Sequence, residues 1–282
     1  MEALPPALDR SLIWPDPFPA VLLAIAERGI RVADLATMSL WTVLADAPAG
    51  EVKSELEERG FDVAPLQDDV IWRYVKVGDL DRAAQVDQLA VPIRTNEIIH
   101  ESVGLITALE ALATRPFFFV MRGRGVHGVL TRSDVQRSPV TMAALGLVLA
   151  LEQGLKQLVR VVAAETWTTK LSARRLQPAE ATLEDRRRHN ADIDLIECVQ
   201  LADLFDIAAK EPMIQKRFSL SKAEIRKTKT RIVRARDSMA HGGSLLNADP
   251  DPEGAIGLFM EIRRLAEQIW SIDQVRNSSG RA

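Results

Sequence analysis

A chain of 282 residues is long for one core and natural for two domains, and its 47% hydrophobic and 27% charged residues exclude a disordered or fibrous protein. The single cysteine, Cys198, excludes an internal disulfide framework and a cysteine-rich zinc cluster. The net charge of −3 divides unequally, since residues 1–150 hold 14 basic and 20 acidic side chains, whereas residues 151–282 hold 22 and 19. The second half is therefore the more basic one.

Two segments of the first half bear on secretion and on membrane insertion. Residues 1–6 include no basic segment that leads into an apolar one, so we expect no secretory signal and a cytoplasmic location. The longest uncharged stretch, residues 138–151, is shorter than the ~20 apolar residues that a membrane span needs, and Glu152 ends it. We expect no membrane span.

The first half contains a weak repeat of the order strand, helix, strand, strand, helix. In the first copy, alternation and β-branched residues mark the strands, and apolar residues at i and i+4 mark the first helix, which Gly60 ends. The predicted elements are a strand at 40–44, a helix at 50–59, strands at 61–66 and 70–77, and a helix at 79–89.

The second copy follows the same order, and its last helix opens on an acidic residue, as in the first copy. Asp134 opens this helix and lies 55 residues after Asp79, its counterpart. The predicted elements are a strand at 91–93, a helix at 101–115, a strand at 117–120, a turn at 123–125 and a strand at 126–130.

Beyond Asp134 the sequence has helical periodicity and no convincing strand. Ser138 and Pro139 are typical of an N-cap and a first helical position. This part is predicted to be all-α, with a charged, mobile segment at 176–190. The expected helices are at about 140–166, 191–210, 221–241 and 253–273.

One motif joins this repeat to a known family. Gly128, Thr131 and Asp134 follow the pattern Gly-hydrophobic-x-Thr/Ser-x-x-Asp, and with the repeat at roughly 25–138 this resembles a pair of CBS domains. The resemblance implies an adenine nucleotide (AMP, ADP or ATP) as effector, with the hydroxyl and backbone amides on phosphate and the carboxylate on the ribose hydroxyls. A helix N-terminus suits an anion physically.

The first copy keeps only part of the pattern. It has Asp79, but Arg73 and Lys76 replace the Gly and the Thr. We therefore expect one good nucleotide site in the second copy and one degraded or phosphate-only site in the first. A second interpretation stays open, because Thr131 and Asp134 are also spaced as a capping box for a helix start.

The segment from Gly123 to Gly128 matches G-x-G-x-x-G by its letters. Its last glycine leads into a strand instead of a helix, and no acidic residue follows about 20 residues later. A dinucleotide-binding turn is therefore not predicted.

A third motif closes the most basic helix of the chain. Arg236 and His241, with Asp237 between them, form R-x-x-x-x-H, which resembles the signature of HEPN ribonucleases. The resemblance implies that Arg236 and His241 cleave RNA without a metal, in a cleft that a homodimer completes. At i and i+5 the two residues lie about 140° apart around a helix. Asp237 precedes His241 by one turn and could fix its tautomer.

The same residues have a structural interpretation. A histidine beside the last carbonyls of a helix, an aspartate as its salt-bridge partner and Gly242 as a left-handed stop form an ordinary helix end. Both interpretations stay open.

Residues 216–236 hold nine basic side chains against one acid, Glu224. Such a run attracts a polyanion, although a solvated helix face is the commoner cause. The candidate RNA contacts are Arg226, Lys229 and Arg234.

These observations predict an α+β fold for a CBS-like pair at 25–138, after an extension at 1–24, and an all-α helical-bundle, HEPN-like domain at 139–282. The hypothesis is a homodimeric, nucleotide-regulated, metal-independent endoribonuclease of the defence or toxin kind. The alternative is a non-catalytic nucleotide-binding regulator whose helical domain dimerises or binds RNA. A pair that binds nothing and only holds the dimer together is the third possibility.

Overall fold

The structure, a computed structural model, describes residues 18–68, 71–81, 83–189 and 192–270. The chain divides into two compact units, one of residues 26–140 and one of residues 1–25 and 141–282.

The 26–140 unit contains the two copies of the repeat. Short strands alternate with helices whose apolar faces are buried. In chain order the elements are α1 (Phe18–Gly29, which begins before the unit), α2 (Val32–Leu35), α3 (Ala49–Arg59), β1 (Val63–Pro65), β2 (Arg73–Lys76), α4 (Val86–Leu89), β3 (Val91–Pro92), β4 (Ile98–His100), α5 (Leu105–Thr114), β5 (Phe117–Arg122) and β6 (Gly125–Thr131).

Two three-stranded sheets result, of order β1-β2-β3 and β4-β5-β6. The first is antiparallel, and in the second β4 runs parallel to β5 and β5 antiparallel to β6. Val43 forms a parallel bridge with Leu66 beside β1, in the place that β4 takes beside β5. The predicted order of strand, helix, strand and strand is confirmed in the second copy, as β4, α5, β5 and β6, whereas in the first copy a single bridge takes the place of the first strand.

Each sheet is completed by the segment that precedes the other copy. The β3 strand, which the sequence predicted as the first strand of the second copy, lies ahead of that copy, because β4 takes this place beside β5, and β3 pairs with β2 through Tyr74 and Val91. Thr37, which precedes the first copy, pairs antiparallel with Val129 of β6. Because the two copies exchange these segments, neither sheet is built from one copy alone.

Aromatic rings fill the core where the copies meet. The ring centroids of Tyr74 and Phe119 lie 4.9 Å apart in an edge-to-face arrangement, and both residues are almost fully buried. The Tyr74 hydroxyl donates to Glu97 over 3.2 Å. Burial, with the nearby Glu97 carboxylate, raises the pKa of Tyr74 to about 12.

Three predictions for this unit are wrong in detail. The strand at 40–44 is reduced to the single bridge at Val43. Within 79–89 only α4 is α-helical, because the Asp81 side chain accepts from the N–H of Ala83 and so forms a turn there. Ahead of α5 the chain forms β4, and the N–H of Glu101 still bonds to the strand residue Met121, which delays the helix to Leu105.

Every element assigned in the described part of the other unit is helical. These elements are α6 (Ser138–Ala163, which begins in the 26–140 unit), α7 (Ala173–Arg188), α8 (Leu201–Ala208), α9 (Pro212–Phe218), α10 (Lys222–Ala240), α11 (Pro252–Trp270) and a few short 3-10 turns. Three predicted helices correspond to α6, α10 and α11, although residues 271–273 lie outside the described residues.

Two predictions are wrong here. The charged segment at 176–190, expected to be mobile, is helical up to Arg188 of α7, although Pro178 lies inside this helix, and Ala179 is buried. The helix expected at 191–210 is shorter, since Val199 and Gln200 have extended backbone torsions and α8 begins only at Leu201. Residues 190 and 191 lie outside the described residues.

The α6 helix is long and apolar enough to cross a membrane by length and composition. In its most apolar window, 44% of the residues are buried inside the protein. A helix in the core of a protein can have the same composition. In α6 the side chains of Leu147, Leu151 and Leu155 are buried, as in a core helix.

Candidate functional site

The carboxylate of Asp134 is occupied by its own chain. Oδ2 accepts from the N–H of Thr131 over 2.7 Å and from its hydroxyl over 3.0 Å, and Oδ1 accepts from Nε of Arg137 over 2.7 Å. Asp134 is only 8% exposed. The structural interpretation of this motif, a capping box after β6, is therefore the one that the geometry supports.

The rest of the motif is packed in the same way. Arg137 also donates to the hydroxyl of Thr37 over 2.9 Å, which ties the motif to the exchanged segment. A Cβ at Gly128 would lie 2.9 Å from the carbonyl oxygen of Thr37 and 2.8 Å from Sδ of Met38. Gly128 is thus needed for the close approach of this segment, whether or not a ligand binds.

The first copy offers a free carboxylate. Asp79 ends the helical turn Val77–Asp79 that follows β2, and it is exposed. Its side chain has no hydrogen bond or ion pair within the described part of the chain. The exposed Lys76, at the end of β2, adds a positive charge, with Nζ 5.9 Å from the centroid of the Tyr74 ring. The copy with the weaker motif therefore has the available carboxylate.

Among the described residues, Arg236 and His241 share no hydrogen bond. Nη1 of Arg236 donates to Oδ1 of Asp237 over 2.8 Å, so Asp237 pairs with its neighbour along the helix and not with the imidazole. His241 is the exposed residue that ends α10, and Gly242 follows in the left-handed region with φ of 83°. The predicted helix stop at Gly242 is confirmed.

Some side chains of the basic run form ion pairs within the helical unit. Nζ of Lys229 lies 2.7 Å from Oδ2 of Asp206 on α8. The guanidinium of Arg231 contacts Glu261 of α11 over 2.6 Å and Asp249 over 3.3 Å. Lys229, a candidate RNA contact, therefore has an internal partner.

Three other cations of the run form an exposed row. Arg226, Lys227 and Arg234 are exposed, and none has an ion pair within the ranges that the structure describes. With His241 they lie within about 100° of one another around the helix, opposite its buried face. We call this row of residues, Arg226, Lys227, Arg234 and His241, the α10 ridge. The sequence alone could not distinguish these residues from Lys229 and Arg231, because the acidic partners of Lys229 and Arg231 come from other parts of the chain.

The helical unit also contains buried charges that sequence reasoning missed. Asp203 on α8 is 5% exposed, and its Oδ1 accepts no hydrogen bond from the described residues, although Nη1 of Arg175 lies 3.3 Å away. Burial raises the pKa of the Asp203 carboxyl, and the Arg175 charge acts in the opposite sense. The buried Asp203 carboxyl is therefore expected to affect the stability of the fold and not the binding of a ligand.

A second charged cluster, of which only Lys156 is buried, joins α6 to the turn before α8. Lys156 is 4% exposed and lies 3.4 Å from Glu152 and 3.5 Å from Glu197. Arg160 donates two hydrogen bonds to Asp194 and thereby lowers the pKa of that carboxyl. Within the described residues, no group of three or more His, Cys, Asp and Glu side chains could hold a metal ion.

No family model and no curated protein matches this sequence. Solved structures match part of the chain. A putative acetoin utilization protein from Vibrio cholerae is 17% identical, over 37% of this chain and 86% of its own, with a TM-score of 0.34. The CBS-pair protein CBSX2 from Arabidopsis thaliana is 21% identical, over 41% of this chain and 94% of its own, with a TM-score of 0.34.

A third similar structure is the CBS domain of the bacterial CNNM/CorC family Mg2+ transporter in complex with ATP. It is 14% identical, over 41% of this chain and 90% of its own, with a TM-score of 0.34. All three matches cover about two fifths of this chain.

Proposed function

We propose that this protein is a nucleotide-responsive RNA-binding protein, in which residues 26–140 are a CBS-like pair for an adenine nucleotide and the α10 ridge binds RNA. The observation that carries the RNA proposal is that Arg226, Lys227 and Arg234 are exposed and lack an ion pair among the described residues, whereas Lys229 and Arg231 are paired internally. Cations without protein partners can neutralise phosphates without first breaking internal pairs.

The shape of the ridge favours a single strand. It extends for about 20 Å along one helix, which a flexible phosphate backbone can follow. Each phosphate contact on a single strand contributes about −0.7 to the slope of log K against log salt, so contacts from three cations predict a slope of about −2. Fluorescence anisotropy with a labelled single-stranded RNA at several salt concentrations tests this proposal.

The nucleotide proposal rests on Asp79. A free, exposed carboxylate can accept hydrogen bonds from both ribose hydroxyls, and Lys76 brings a cation for phosphate. Isothermal titration calorimetry with ATP, ADP and AMP tests it. If nucleotide and RNA binding are coupled, each ligand changes the affinity for the other by the same factor.

A metal-independent endoribonuclease is the second candidate. The observation that favours it is the position of His241, exposed at the end of the α10 ridge, where a bound RNA backbone would pass the imidazole. Cleavage needs the 2′-hydroxyl deprotonated, the phosphate charge neutralised and the 5′-oxygen protonated. Because Arg236 pairs with Asp237, and a second copy of the chain would carry the same pair, this pair would have to open before an arginine could act beside His241.

Cleavage of a labelled structured RNA in EDTA tests this candidate. Products that end in 2′,3′-cyclic phosphate, present with the wild type and absent with His241→Ala, establish the nuclease. RNA that both proteins bind and neither cuts leaves the binding proposal standing and ends the catalytic one.

A further inference from the structure

Two helices of the unit formed by residues 1–25 and 141–282 expose large apolar side chains. On α1, Val21 and Ile25 are 47% and 57% exposed, and on α6, Met142 and Leu149 are 72% and 48% exposed. Each pair is spaced by one or two helical turns, so its members share a face. Large apolar groups gathered in one place on a surface mark an interaction site, whereas single ones do not.

The two faces are adjacent. A Cβ at Gly146 would lie 3.4 Å from Cδ2 of Leu22, so Leu22 of α1 is seated against α6 at the position that has no side chain. Gly146 lies one turn from both Met142 and Leu149, on the same stripe of α6. Val21 and Ile25 flank Leu22 on α1. We call these six residues, Val21, Leu22, Ile25, Met142, Gly146 and Leu149, the α1–α6 face.

The absence of charge around this face points to its occupant. Residues 18–26 and 138–151 contain no Asp, Glu, Lys or Arg. A twofold interface sets a surface against its own copy, and a surface without charge meets its copy without like-charge repulsion. A nucleic acid needs basic groups, and a helix that lies on a membrane is typically rich in Lys and Arg. Neither partner fits these two uncharged segments, and a membrane-spanning role for α6 does not fit the burial of Leu147, Leu151 and Leu155 inside the protein.

We propose that the α1–α6 face binds the same face of a second copy of this chain. Two α1–α6 pairs related by a twofold axis bring four helices together and cover Met142 and Leu149 of both chains. Because of the symmetry, one substitution changes the interface twice. The oligomeric state is measured without RNA or nucleotide, so its outcome is independent of the function proposed above.

Sedimentation equilibrium of the full chain, over a micromolar concentration range, tests this proposal. The wild type is expected to be a dimer, and Met142→Glu with Leu149→Glu a monomer whose circular dichroism is that of the wild type. The matched control is Met213→Glu on α9, an exposed methionine (54%) outside the face, which should leave the dimer intact.

A milder variant guards against misfolding. Met142→Ala with Leu149→Ala adds no charge and should raise the dimer dissociation constant at least tenfold. A wild type that is monomeric throughout the range, or a dimer that both double variants leave unchanged, overturns the proposal. Flotation of the wild type with neutral phosphatidylcholine vesicles, lost in the glutamate variant, would assign the face to a membrane and also overturn it.

Discussion

Thr131 and Asp134 form a closed pair at the end of β6, in which one carboxylate oxygen accepts both the backbone N–H, over 2.7 Å, and the hydroxyl, over 3.0 Å. The pattern that the sequence offers as a nucleotide motif thus begins a helical turn by itself. With the bond from Arg137, three of the roughly four acceptor sites of this carboxylate are filled, so a ligand finds little of it open.

Asp134→Asn is therefore expected to lower the free energy of unfolding by about 1 kcal/mol, the usual value of a helix cap. The exposed Asp79, changed in the same way, should leave the stability within about 0.5 kcal/mol of the wild type. Urea denaturation of both variants makes this comparison. Equal destabilisation by the two changes would contradict the assignment of Asp134 to structure.

For nucleotide affinity the order of the two aspartates should be reversed, with the larger effect at Asp79. Asp79→Asn removes the free carboxylate and is expected to weaken ATP binding at least tenfold, since the hydrogen bonds to the ribose then lack their charge. Asp134→Asn should change the affinity by less than threefold in calorimetric titrations. Loss of binding in Asp134→Asn alone would move the site to the second copy.

The buried Asp203 predicts a pH-dependent stability. Because its pKa is raised in the folded state, folding favours the protonated carboxyl, and this contribution is lost as the pH rises through the raised pKa. Asp203→Asn should raise the free energy of unfolding by about 1 kcal/mol at neutral pH, since it removes a poorly paired buried charge. The gain should disappear at pH values below the ordinary pKa of an aspartate.

Urea denaturation of wild type and Asp203→Asn at several pH values measures this difference, with the exposed Asp79→Asn as control. A variant that is less stable than the wild type at neutral pH would show that the pair with Arg175 outweighs the burial of the charge.

Lys229 should behave as a structural residue despite its place in the basic run. Its ion pair with Asp206 is partly exposed, so Lys229→Gln is expected to reduce stability by at most about 1 kcal/mol. RNA affinity should fall less than twofold, whereas Arg226→Gln should lower it more. Anisotropy measurements on the two variants at one salt concentration distinguish them, and a larger loss in Lys229→Gln would contradict the pairing.

The sequence was sufficient for elements with strong local signals. Gly60 and Gly242 end their helices with φ of 67° and 83°, as their positions predicted. The sequence was insufficient where residues that are distant along the chain determine the local structure. The N-terminus of α5 is capped by Glu27, which accepts from the N–H groups of Ile106 and Thr107, and no local pattern joins residues so far apart.

The same distinction between local patterns and distant contacts applies to the candidate sites. Sequence reasoning located the basic helix and its Arg-Asp-x-x-x-His end, because both are local patterns. It could not tell that Asp206, on α8, pairs with Lys229, or that Arg137 occupies Asp134. The α1–α6 face depends on the approach of two helices more than a hundred residues apart.

The α10 ridge is the proposed RNA-binding surface of this protein. The most direct test is the salt dependence of RNA affinity in a variant with Arg226, Lys227 and Arg234 changed to Gln. The matched control changes Arg28, Arg124 and Arg174 to Gln, which removes the same charge from exposed positions elsewhere. We predict that the ridge variant loses about two units of the salt slope and at least tenfold in affinity, while the control keeps the wild-type slope. Equal losses in the two variants would show that net charge alone attracts the RNA and would contradict RNA binding by the α10 ridge.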